Sequence, residues 1–126
     1  MAITVEIVSG VLHWPDQVDR GSGAAVRFTG AVRGEEDGRT IAGLEYEAYR
    51  PMAENQMRRI FEEIRDMHTF DDAVALHRVG FVPVGEAAIL VEVRSKHRGE
   101  AFEAVRIFMD RLKQDVPIWK TGAKWK

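Results

Sequence analysis

Four consecutive residues, Ser95-Lys96-His97-Arg98, set one hydroxyl and three potential cations at the predicted start of a helix. Cations there oppose the helix macrodipole, at about 0.3–1 kcal/mol each, so local stability does not call for them. Free backbone N–H groups together with Lys, His and Arg side chains instead form a receptive anion site, and phosphate is its natural occupant. The plainer alternative is that Lys96 and Arg98 point into solvent. Arg33, at the mouth of a charged, glycine-rich stretch, can close on the same ligand as a bidentate clamp, or can pair locally with Glu35, Glu36 or Asp37.

The tail from Pro117 to Lys126 interleaves Trp119 and Trp125 with Lys120, Lys124 and Lys126. Rings and lysines in this pattern can stack on bases and track phosphates of a single-stranded nucleic acid. A net charge of −2 argues against that use. A second reading packs Trp119 on the body and aims Lys120 into a pocket, where it would suit acid–base or nucleophilic work. The third is a frayed, solvated terminus.

Other chemistry is excluded more simply. The chain has no cysteine, which removes disulfides, thiolate metal sites and any nucleophile made of the protein's own sulfur. His13, His68, His77 and His97 form no His-x-x-x-His pair, so no metal is expected; neither a Gly-x-Gly-x-x-Gly fingerprint nor a P-loop lysine motif occurs, so an ordinary nucleotide-binding fold is not expected, and no cofactor is expected. His68 reads as a surface residue near a helix end, and His77 as a satisfied core or edge histidine.

The elements that must position these residues follow from periodicity. Ile3 to Ile7 alternates as a strand, Ala24 to Thr29 reads as a buried strand, and Ile41 to Tyr49 as a third. His13 to Val18 suggests a short helix, and Gly30 to Gly38 a mobile loop. Pro51 opens a helix whose Met52, Met57, Ile60, Phe61, Ile64 and Met67 share a face. Val74–Val79 and Ala87–Val93 form a β-ribbon with irregular turns between them. Ser95 then caps a helix with Ala101, Phe102, Val105, Phe108, Met109 and Leu112 on its apolar face, and Val116-Pro117-Ile118-Trp119 is expected to be extended because Pro117 biases Val116 out of the helical region. Adjacent strand pairs separated by helices predict an α+β fold, a mainly antiparallel sheet with two long amphipathic helices, in a single compact domain over residues 1–126. No apolar run reaches the length of a membrane span and no signal-peptide pattern opens the chain, so a cytoplasmic protein is expected. Charge is split: residues 1–93 carry a balance of −7, residues 94–126 one of +5, and all five lysines lie in the second part. An anionic ligand or acidic partner there would fit, as would a solvated tail.

A series of segments in one order carries a resemblance. Phe28-Thr29-Gly30-Ala31-Val32-Arg33, Leu44 to Tyr49 with Pro51-Met52-Ala53, His77-Arg78-Val79-Gly80 with Val84-Gly85-Glu86, Ser95 to Arg98 leading into Ala101-Phe102-Glu103-Ala104, Asp110 to Lys113, and Val116-Pro117-Ile118-Trp119-Lys120 together resemble the large, catalytic subunit of molybdopterin synthase. The resemblance implies conversion of cyclic pyranopterin monophosphate into molybdopterin. It also implies a small ubiquitin-like partner whose thiocarboxylated C-terminal glycine delivers the sulfur, and a homodimer of large subunits within a heterotetramer, with neither nucleic acid nor membrane as partner. By the same resemblance Arg33, His97 and Arg98 hold the pterin and its phosphate, Lys120 stands beside the donor's carboxyl terminus, and Lys124 matches a second lysine region. Only Thr121 separates Lys120 from Gly122, where the family carries a longer loop. A rival of another class is a non-catalytic binding module whose basic tail docks an acidic or nucleic-acid partner.

Overall fold

The computed structural model describes residues 2–15 and 21–126, so the second half of the short helix expected over His13–Val18 lies outside the described residues. Among the described residues, eight strands and two helices follow one another as β1 (Ala2–Val8), β2 (Ala24–Ala31), β3 (Glu35–Glu36), β4 (Arg39–Ala48), α1 (Met52–Met67), β5 (Asp72–Arg78), β6 (Gly80–Pro83), β7 (Ala87–Ser95), α2 (Arg98–Asp115) and β8 (Ile118–Trp125). A first sheet has the order β1-β5-β7-β2, with only the β1–β5 pair parallel. In the second, β4 pairs antiparallel with β3, β6 and β8. The α+β class and the mainly antiparallel pairing are as expected from the sequence.

Both helices pack on one face of the first sheet. On α1, Ala53, Met57, Ile60, Phe61 and Ile64 are buried, and on α2, Ala101, Ala104, Val105, Phe108 and Leu112. Phe61 stacks on Phe108 with ring centroids 4.1 Å apart, and meets Phe70 edge-on. The apolar faces are narrower than expected: Met52, Met67 and Phe102 stand exposed. Residues 101, 105, 108 and 112 already complete a stripe at helical spacing, and Phe102 lies about 100° around the axis from Ala101.

Three further segments differ from expectation. Strand β2 is present but mostly exposed, because it lies at the edge of its sheet. The charged stretch after it is a tight hairpin: Glu36 pairs with Arg39 across Asp37 and Gly38, whose φ values of 52° and 77° fit a two-residue turn that requires left-handed backbone. The terminus, Ile118–Trp125, is a strand laid along β4. The ribbon of β5 and β7 is antiparallel as expected, but its connection contributes β6 to the other sheet. No helix among the described residues is long and apolar enough to cross a membrane.

Candidate active site

The second half of α2, the helix-facing end of the first sheet and the β4–β8 ribbon enclose a cleft of about 340 Å³. Four polar side chains reach it from four elements: Tyr46 (β4), His77 (β5), Lys113 (α2) and Lys120 (β8). Gly30 admits the close approach of β2 and β7 there, since a Cβ would lie 2.7 Å from Ile89 Cγ2.

Lys120 is placed by strand pairing. It stands directly opposite Tyr46 in the β4–β8 ladder, and its Nζ lies 3.5 Å from Oε1 of Glu36 on the hairpin. Trp119 beside it is 45% exposed, so main-chain pairing rather than tryptophan packing aims the lysine. Burial, followed by the Glu36 carboxylate, pushes the Tyr46 phenol above its ordinary pKa, so it remains a hydrogen-bond donor at neutral pH.

His77 is only 6% exposed. Its Nδ1 donates to the carbonyl oxygen of Arg78 at 2.8 Å, and its ring meets Tyr46 edge-on at 5.4 Å between centroids. Burial depresses its pKa, which the bond to Arg78 only partly opposes, so the imidazole is neutral at pH 7. Arg78, on the other face of β5, is tied to Glu86 at 2.7 Å, which pins the connection between β5 and β7.

The other sequence-predicted residues lie elsewhere. Lys124 is four residues beyond Lys120, a spacing that puts two side chains on one face of a regular strand. Here Tyr46 pairs with Lys120 while Glu45 pairs with Gly122, so Thr121 is an inserted bulge residue and the parity flips. Lys124 therefore faces away from Lys120, its Nζ 4.9 Å from the Phe81 ring centroid. Arg33 lines a neighbouring depression of about 390 Å³ formed by the hairpin. Among the described residues it pairs with none of Glu35, Glu36 and Asp37. His97 and Arg98 sit exposed at the start of α2, whose N-cap is His97 and carries no side-chain cap. Ser95, expected as that cap, is fully buried and donates its hydroxyl to the carbonyl oxygen of His97. About 22 Å of helix axis separates Arg98 from Lys113 at a rise of about 1.5 Å per residue, so one chain does not unite Arg98 with the Lys120 cleft.

The tail is engaged within the molecule. Arg39 covers the Trp125 ring at 4.0 Å, Lys124 lies over Phe81 and Lys120 pairs with Glu36. Trp119 and Trp125 each remain 45% exposed. Sequence reasoning missed Tyr46, His77 and Lys113 as site residues. The only signal was that all three fall in segments carrying the resemblance.

The family described as MoaE protein matches residues 5–115. The chain belongs to the MoaE family. Among its relatives, the human molybdopterin synthase catalytic subunit is 46% identical over 98 residues, covering 78% of this chain and 52% of the human protein. That of Thermoplasma volcanium is 39% identical over 120 residues, covering 92% and 88%. This chain thus spans about half the length of the human relative. The crystal structure of molybdopterin synthase from Staphylococcus aureus superimposes with a TM-score of 0.86 at 35% identity, covering 95% of this chain and 94% of that one.

Proposed function

We propose that this chain, as one domain over residues 1–126, is the catalytic subunit of a molybdopterin synthase. It converts cyclic pyranopterin monophosphate to molybdopterin with sulfur from the thiocarboxylated C-terminal glycine of a small ubiquitin-like carrier. The observation that carries the reading is the placement of Lys120: an ammonium group at the mouth of a cleft that also holds a neutral imidazole and a phenol donor. Such a cleft can take an acyl terminus, and Lys120 can stabilise the oxyanion that forms at its carbonyl as sulfur leaves. Family membership and the likeness to the S. aureus enzyme support it.

Arg33, His97 and Arg98 are assigned to the pterin and its phosphate. Because Arg98 and Lys120 stand far apart in one chain, the reading includes a homodimer in which His97 and Arg98 of one protomer complete the cleft of its partner, within a heterotetramer. Lys124, on the opposite face of the ribbon, is assigned a supporting part as the second lysine. The test is mass spectrometry of the pterin after mixing the chain with thiocarboxylated carrier: gain of two sulfurs is expected, and an unchanged pterin would overturn the reading. Arg98→Ala should weaken precursor binding by calorimetry more than carrier binding.

A further inference from the structure

Sulfur transfer from a thiocarboxylate leaves a chemical requirement that Lys120 does not meet. The carrier's glycine must end as a carboxylate, so an oxygen from water replaces the departing sulfur. We propose that His77 is the group that accepts that water's proton. The assignment rests on the sulfur-transfer reading above and adds a catalytic residue to it.

The step balances without an oxidant or reductant. The carrier's thiocarboxylate sulfur first bonds to a pterin carbon as a carbon–oxygen bond at that carbon breaks with its electron pair going to oxygen, which leaves carrier and pterin joined as a thioester. Water then adds through oxygen to the acyl carbon while its proton passes to Nε2 of His77, and Lys120 faces the oxyanion. Collapse breaks the acyl C–S bond with its electron pair going to sulfur, the imidazolium returns the proton to that sulfur, and the new carboxyl group ionises to solvent.

Three observations single out His77. Its Nδ1–H is committed to the Arg78 carbonyl oxygen, which fixes the tautomer with a lone pair on Nε2. Nε2 has no partner among the described residues, although the side chain is almost wholly buried, and the ring lines the cleft that Lys120 also lines. The groups facing it cannot take its place. From β4 comes the Tyr46 phenol, held protonated; from β8 and α2 come Lys120 and Lys113, both cationic; Ile7 of β1 and Ile89 of β7, its neighbours across the strands, are apolar. Glu36 is engaged by Lys120, and Arg78 with Glu86 lies on the other face of β5. Burial keeps the imidazole unprotonated at neutral pH, as a proton acceptor must be.

The experiment is a single turnover of the chain with thiocarboxylated carrier and cyclic pyranopterin monophosphate, quenched and read by intact mass. The variant is His77→Asn, whose amide nitrogen can keep the bond to Arg78 while the second ring nitrogen is lost. The thioester adduct should form at the wild-type rate and hydrolyse about 100-fold more slowly, with the acid limb of the wild-type pH profile gone. Hydrolysis within about threefold of wild type, acid limb intact, overturns the assignment. Should the variant fail to fold, 15N NMR of the wild type decides: an Nδ1–H tautomer is required, and a proton on Nε2 at neutral pH excludes the role. A wild-type protein that forms neither adduct nor sulfurated pterin removes the sulfur-transfer reading itself.

Discussion

At the scale of single residues, the half-exposed Lys120 tests the reading with little structural disturbance. Lys120→Ala should lower dithiolene formation at least about 100-fold while shifting stability within about 0.5 kcal/mol, checked by reconstituted turnover and thermal melting. Lys124→Ala, on the far face of the ribbon, should cost at least about tenfold less in the same assay. His77 also makes stability depend on pH. Its folded pKa is depressed, so the stability it contributes is complete above about pH 6.5 and is lost as pH falls through the folded value. Melting temperature should decline below that pH, and His77→Asn should flatten the decline. Lys120 was legible because Pro117-Ile118-Trp119-Lys120 carries a resemblance. His77 read as a satisfied core or edge histidine, and half of that holds: one ring nitrogen is satisfied, and the other has no partner among the described residues.

At the scale of elements, the ribbon of β4 with β6 and β8 does the positioning. Gly43 lets β6 close on β4, since a Cβ there would sit 2.4 Å from the Phe81 ring and 2.5 Å from the Val82 carbonyl oxygen. The backbone oxygen cannot swing aside. Gly43→Ala should therefore cost about 1–3 kcal/mol by urea denaturation and displace the Phe81 ring beneath Lys124. Both long helices and the strands of the first sheet were legible from period, because burying one face imposes it on the sequence. The hairpin at Asp37-Gly38 was missed: its charge suggested a loop, while the Asp-Gly pair is itself a turn signal. The terminal strand was legible only as extended backbone over residues 116–119; its pairing was not, because the partner β4 lies about 70 residues or more earlier and pairing leaves no local mark.

At the scale of the whole molecule, the proposed site has two halves at opposite ends of α2. Lys120→Ala and Arg98→Ala homodimers should each be inactive. Mixed under exchange conditions, they should recover about one quarter of wild-type turnover, since half of the dimers then hold one intact composite site. No recovery would place both residues' roles within one chain. The charge split gains a structural meaning, because the cations after residue 93 mark both ends of α2 and the strand that follows it. The sequence by itself determined the fold class, the two helices, the absence of any thiol chemistry and, through its motifs, the family. Those features are encoded by composition, by local period or by contiguous segments. Only the tertiary structure decided that Tyr46 and His77 share a cleft with Lys120, that a bulge at Thr121 turns Lys124 away, and that Arg98 is a helix length distant. Each depends on register between strands remote in the chain or on which end of a helix meets which sheet, and side-chain spacing along one chain specifies neither.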